Sequence, residues 1–219
     1  MIKFAIVLTF AALGVFYILK IMGSFFLNTQ GVKSQIKSDL KNFSRNLEDL
    51  VKDLSPWEDD DLDLLSVEQS VLKKKAGIHT QFSGVLSNIY QEKIVAFAYK
   101  DYYYKKKKAI LVARTSAHSF YYKITNKAID IFRDNIHLGT LKPNGSFFQE
   151  NAEIAHVDQS KTMNLIPISI NGKQVASLVN PTGHVHKNAR ALKLIEDLSE
   201  NDKEIVLSLS LFELINRTL

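Results

Sequence analysis

The chain contains no cysteine. That removes disulfide frameworks, thiolate metal sites and cysteine nucleophiles from consideration. Proline and glycine are scarce, with four and nine in 219 residues, so collagen-like and low-complexity compositions are excluded for most of the chain. Patterns of the G-x-S-x-G, H-E-x-x-H and P-loop kinds are also missing, which leaves enzymatic chemistry without a motif to carry it. The chain is therefore expected not to be an enzyme, and to hold no cofactor. What is present is the mixture of an ordinary globular protein, 46% hydrophobic and 23% charged, long enough for one sizeable core plus an appendage.

The net charge of +5 is unevenly spread. Residues 1–63 carry 7 basic and 9 acidic side chains, and residues 64–219 carry 21 and 14. The globular part is the basic part, and a basic domain is drawn towards anionic partners such as phospholipid headgroups or nucleic acid.

Residues 1–28 read as a membrane anchor. Phe4–Leu19 is free of charge, Lys20 interrupts, and Ile21–Leu27 resume the apolar run. As a helix the stretch from Phe4 to Leu27 spans about 36 Å, enough for a hydrocarbon core of roughly 30 Å. Lys20, near its end, can snorkel to the interface. A secretory signal peptide would require a small-x-small cleavage site, and Leu19–Phe25 offers none. Lys20, Lys33, Lys37, Lys41 and Arg45 outnumber the basic groups on the N-terminal flank, so the expected topology is single-pass with the domain on the cytoplasmic side.

Residues 29–77 form the next section. Ile36, Leu40, Phe43, Leu47, Leu50 and Leu54 follow a 4-3-4-3-4 spacing, the seam of an amphipathic helix. That seam either pairs two copies in a coiled coil or lays one helix on the domain or the bilayer. Pro56 ends it. The acidic run Glu58–Asp63 lacks the ligand spacing of a calcium loop and reads as a solvated linker or a charge cluster at a helix N-terminus. Ser66–Lys75 reads as a short helix stopped at Gly77.

From residue 78 to 219 the texture becomes β-rich. Strands are predicted near Thr80–Val85, Ile94–Tyr104, Ala109–Arg114, Phe120–Thr125, Ala128–Arg133, Ile136–Leu141, Ser146–Gln149, Glu153–Val157, Met163–Ile170 and Lys173–Val179. Asn171-Gly172 is a two-residue hairpin turn, and Pro143-Asn144-Gly145 a tight turn. About ten short strands so spaced argue a meandering antiparallel sheet that closes or nearly closes. Asn188–Leu198 has the spacing of a short amphipathic helix. Asn201 followed by Glu204 resembles a capping box opening Ile205–Ile215; Leu207–Leu211 alternates like a strand, but the cap and the Glu213–Arg217 end favour a helix, apolar on nearly all sides. A helix without a polar face must be enclosed, so the sheet is expected to wrap around it: a mostly β, α+β domain, an antiparallel β-barrel around a hydrophobic C-terminal helix.

The strand pair Tyr121-Tyr122-Lys123-Ile124 and Ile129-Asp130-Ile131-Phe132, then Leu138-Gly139-Thr140, and the entry Leu198–Leu207 into the last helix resemble the tubby C-terminal-like superfamily, which includes the tubby, phospholipid scramblase and LURP-one-related domains. The resemblance covers about residues 80–219 and is architectural. It implies a closed sheet around a central helix, and some members bind phosphoinositides through basic residues. No such residue maps onto a position here.

The most unusual segment is Lys100–Lys108, KDYYYKKKK. If Lys105, Lys106, Lys107 and Lys108 occupy a hairpin tip they cluster, and Tyr102, Tyr103 and Tyr104 beside them have amphipathic rings suited to a headgroup layer. On a tethered domain this is an anionic-lipid contact, each lysine contributing about 1 kcal/mol near a charged bilayer. The competing reading is a solvated tip whose lysines block strand-to-strand aggregation. His184 and His186, spaced i, i+2, with His156 as a third ligand from elsewhere, make a weak metal pattern; surface histidines are expected. The sequence thus points to a membrane-anchored, non-enzymatic binding module with membrane lipid as partner and no nucleic acid. The alternative is a membrane-linked scaffold that pairs through its stalk with a second copy or holds a protein partner.

Overall fold

The structure is a computed structural model, and it describes residues 38–43, 45–57, 59–75, 80–102, 108–160, 163–182 and 189–218. The anchor expected over residues 1–28 lies outside the described residues. Among those described, no helix is long and apolar enough to cross a membrane. The chain divides into two compact units, Met1–Asn42 and Phe43–Leu219, and the second contains the whole sheet.

Twelve antiparallel strands follow one another around the sheet in chain order. They are β1 (Leu65–Lys75), β2 (Gln81–Asn88), β3 (Lys93–Tyr102), β4 (Lys108–Arg114), β5 (Ser119–Thr125), β6 (Ile129–Arg133), β7 (Ile136–Leu141), β8 (Ser146–Gln149), β9 (Ala152–Val157), β10 (Leu165–Ile170), β11 (Lys173–Val179) and β12 (Leu192–Leu194). The sheet comes close to closing. Just before β12, Arg190 bridges Ser66 of β1. Val67 N–H donates to the Ala189 carbonyl at 3.0 Å, and Ala191 N–H to that of Leu65 at 2.6 Å. Arg190 adds an ion pair to Asp63, in a 3-10 turn over Asp59–Leu64, so the acidic run is only partly the solvated linker expected.

One helix, α1 (Glu200–Arg217), follows. Every residue from Ile205 to Ile215 is buried. Their apolar side chains share one core with Phe97, Leu111, Tyr122, Ile131, Phe147, Ile168 and Leu178 of the sheet. The expectation of a helix enclosed by strands holds. The physical cause is plain: no face of α1 is polar enough for water, and a meander of alternating strands offers one continuous apolar surface to cover it.

Three expectations are corrected. Ser66–Lys75 is strand β1, not a helix: its bonds to β2 and to residues 189–191 complete the sheet, and that tertiary pairing outweighs local propensity. Asn188–Leu198 is not a helix either. Leu192 and Leu194, two apart, both turn to the core from β12, whereas Ala191, Leu194, Ile195 and Leu198, whose i, i+3, i+4, i+7 spacing suggested a helix, include the exposed Ile195. Finally, the helix cap is Ser199 rather than Asn201. The Ser199 hydroxyl accepts from Asp202 N–H at 3.3 Å and donates to the Asp202 carboxylate at 2.7 Å.

Residues 38–43 and 45–51 are helical, as the seam spacing implied. Phe43, Leu47 and Leu54 are buried, and Leu50 half-buried. Val85, Ala96, Ala98, Tyr102, Ile110 and Val112 of β2–β4 are buried too, although they alternate with core residues and face out of the barrel. Neither set belongs to the barrel core, and Ser55 N–H donates to Lys93 O at 2.8 Å where the two regions meet. Together they make a second, smaller apolar layer outside the barrel. That layer explains why β3 is buried without interruption from Ile94 to Tyr99 instead of alternating.

Candidate functional site

Because every neighbouring pair of strands is antiparallel, the connections alternate strictly between the two ends of the barrel. At one end lie the connections 76–80, 103–107, 126–128, 142–145, 158–164 and 180–191. Among the described residues these connections carry Lys127, Lys142 and Arg190, the last ion-paired to Asp63, against the single carboxylate of Asp158. At the other end lie 89–92, 115–118, 134–135, 150–151, 171–172 and 195–199. These carry Glu92, Asp134, Glu150, Glu196 and Asp197 and neither lysine nor arginine. By its connections the barrel has a more basic and a more acidic end, and at the edge of the acidic one Lys173 pairs with Glu196 at 2.6 Å and Arg133 lies 3.9 Å from Asp134. Helix α1 runs from the acidic to the basic end, so its positive N-terminal pole lies among carboxylates and its negative C-terminal pole among cations.

Strands β3 and β4 pair up to Tyr102↔Lys108. Residues 103–107 are therefore the connection of a hairpin at the basic end; Tyr103, Tyr104, Lys105, Lys106 and Lys107 themselves lie outside the described residues. Lys108 is exposed. Tyr102 is not presented to solvent: it is 1% exposed, with the Lys100 ammonium 5.3 Å from its ring centre. Two more lysines stand on tight turns at this end. The Thr125 hydroxyl accepts from Lys127 N–H at 3.3 Å and Ala128 N–H at 3.1 Å, and donates to Ala128 O at 2.8 Å, which fixes the turn carrying Lys127. Gly145, at φ +92°, closes the Lys142–Gly145 turn with an N–H bond to Lys142 O at 2.9 Å. Lys142 lies with its ammonium 5.0 Å from the Phe148 ring centre.

At the centre of this end α1 finishes in a buried ion pair. Glu213 is 2% exposed. Its carboxylate accepts from Arg217 Nε at 2.7 Å and from Gln159 Nε2 at 3.1 Å. The rest of the guanidinium donates to Ser160 O at 3.2 Å and Asp158 O at 3.3 Å. The cluster pins the β9–β10 connection to the last turns of the helix. Two cavities open beside it, of about 370 and 340 Å³, and both are lined by Gln159, Glu213 and Asn216. The i, i+4 spacing of Glu213 and Arg217 was the one sequence signal for this cluster. Gln159 gave none.

The acidic end holds a second polar cluster. His118 Nδ1 is 2.7 Å from Asp134, whose other oxygen accepts from Ser119 N–H at 2.9 Å. Partial burial raises the Asp134 pKa, but the Ser119 and His118 bonds and the nearby Arg133 outweigh it and leave the carboxyl below its ordinary value. Arg133 reaches Glu204 of α1 at 3.5 Å. His184 and His186 lie outside the described residues, and His156 is half-exposed beside Glu153 at 3.6 Å. Among the described residues no group of side chains is placed to hold a metal ion.

No family model matches the chain, and no curated protein or solved structure resembles it significantly.

Proposed function

We propose that the chain is a membrane-anchored, non-enzymatic binding module that engages anionic phospholipid through the basic end of its barrel. The observation that carries this reading is the alternation of connections, which gathers the β3–β4 run with Lys127 and Lys142 at one end and leaves the carboxylates at the other. Opposed ends of this kind orient a domain on a negative surface, since the near end gains and the far end is repelled. Tyr103, Tyr104 and Lys105–Lys108 are the contact, and buried Tyr102 is its base. The anchor over 1–28 holds the domain at the surface on the cytoplasmic side. Membership of the tubby C-terminal-like superfamily is part of the proposal, because a closed antiparallel sheet around an apolar C-terminal helix is what that resemblance implies.

The scaffold alternative needs a free apolar seam on the stalk. Burial of Phe43, Leu47 and Leu54 within one chain leaves less apolar surface for a second copy, and lipid binding is the better reading. Flotation of residues 43–219 with vesicles tests it; a fragment starting at 78 would lack β1. Binding to vesicles containing phosphatidylserine is expected, with none to phosphatidylcholine alone, and it should vanish when Lys105, Lys106, Lys107 and Lys108 are all changed to Ala. Absence of binding to every vesicle would sink the proposal.

A further inference from the structure

Strand β1 stands at the end of the strand order and outruns the contact that closes the barrel. On one side it pairs with β2 from Leu65 to Lys75. On the other it meets residues 189–191 only through the Val67 N–H, the Leu65 carbonyl and the Ser66–Arg190 bridge. The Glu68 N–H turns to the Ser66 hydroxyl at 3.1 Å. From there on, residues 69–75 have no backbone partner on that side among the described residues. This overhang runs about 23 Å towards the basic end, at roughly 3.3 Å per residue. It is open to solvent: Ser70 is exposed, and Val71 and Leu72 are 53% and 48% exposed. Such an edge holds unpaired N–H and C=O groups outward, a template for one more strand. Two devices act against pairing with a like edge. The register shifts between Leu65 and Gln69 and again between Val71 and Lys73, and the strand ends in Lys73-Lys74-Lys75. Two copies joined here would gather the lysines of both into one ribbon, which like charge opposes. The same cations favour a partner that brings carboxylates.

We infer that the free edge of β1 binds an extended acidic segment of a partner protein by strand addition. Backbone hydrogen bonds to residues 69–75 give the affinity, as in other cases of an added strand. Apolar side chains of the segment lie beside Val71 and Leu72, and carboxylates at one of its ends match the lysine run. The edge is distinct from the β3–β4 connection and is filled from solution, so it stands or falls without reference to vesicles.

The test uses residues 43–219, the compact unit that contains the sheet and its core, and a fluorescein-labelled peptide amide, Glu-Glu-Glu-Val-Thr-Val-Ser, followed by anisotropy. Saturable one-site binding is expected. Changing Lys73, Lys74 and Lys75 together to Glu should weaken it by about tenfold or more and confer binding of Lys-Lys-Lys-Val-Thr-Val-Ser. Charge alone would also draw the acidic peptide to the lysines of residues 105–108, so the backbone is probed directly. One version of the peptide is N-methylated at both valines and another at the threonine. In a strand these N–H groups point to opposite edges, so one version should lose binding and the other keep it. At least one amide among residues 69–72 should exchange freely with deuterium in the protein alone and become protected by the peptide. Lack of saturable binding, equal binding of the two methylated versions, or amides of residues 69–72 that are all protected before peptide is added, overturns the inference.

Discussion

Glu213 and Tyr122 show what a polar atom costs inside this barrel. Tyr122 is fully buried, and desolvation holds its hydroxyl far above the ordinary tyrosine pKa, so it stays a donor at any working pH. It donates to the Ser208 carbonyl at 2.9 Å and joins β5 to the middle of α1. Tyr122→Phe is expected to lose about 1 kcal/mol, the net worth of one buried hydrogen bond, read from the midpoint of urea unfolding. Glu213→Ala leaves the Arg217 guanidinium, 10% exposed, without its counter-charge, and should cost about 3–5 kcal/mol by the same measurement. At the acidic end Asp134 has a lowered pKa. Its contribution is present above the unfolded carboxylate value and is lost as pH falls through the lower folded value. Asp134→Asn should therefore lower stability at pH 7 and make the acid limb of the stability profile, below about pH 4, shallower.

Elements are where sequence and structure diverge. The ten strands read from residue 80 to 179 all form, because each carries alternation or a turn residue of its own, Asn171-Gly172 with both residues at positive φ among them. The two missed strands are those whose local pattern is ambiguous and whose identity is settled by pairing across the closure. β1 has a lysine-rich end, and β12 has three residues. Neither is legible without its partner. Glycine 139, quoted with its neighbours for the resemblance, has a packing role: a Cβ there would sit 2.6 Å from the Phe147 ring and against the Phe148 carbonyl. Gly139→Ala should destabilise by about 1–3 kcal/mol through overpacking, with a fall in thermal midpoint as the check. Ser199→Ala removes the cap of α1 and should cost about 1 kcal/mol. For the stalk, the 4-3 spacing announced a helix but not its cover, since the outward residues of β2–β4 look like ordinary alternating strand positions until their burial is known.

The molecule as a whole carries a polarity that composition conceals. A net +5 describes neither end of the barrel. The lysine run was visible in the sequence, and so were the turns, but assigning twelve connections to two ends requires the complete strand count. Missing β1 would have shifted no later strand, because a meander alternates from any start; missing β12 would have put the entry to α1 at the wrong end. The cluster of Gln159, Glu213 and Arg217 was half hidden for another reason, since Gln159 lies 54 residues from Glu213 while Arg217 lies only four. If the charge segregation orients the domain on a membrane, contact must be confined to one end. The most direct measurement is paramagnetic broadening of backbone amides of residues 43–219 on vesicles doped with a gadolinium-chelating lipid. The account predicts loss of signal at Lys127 and Lys142 and intact signals at Glu92, Asp134 and Glu150. Broadening at the second group with sparing of the first would contradict it.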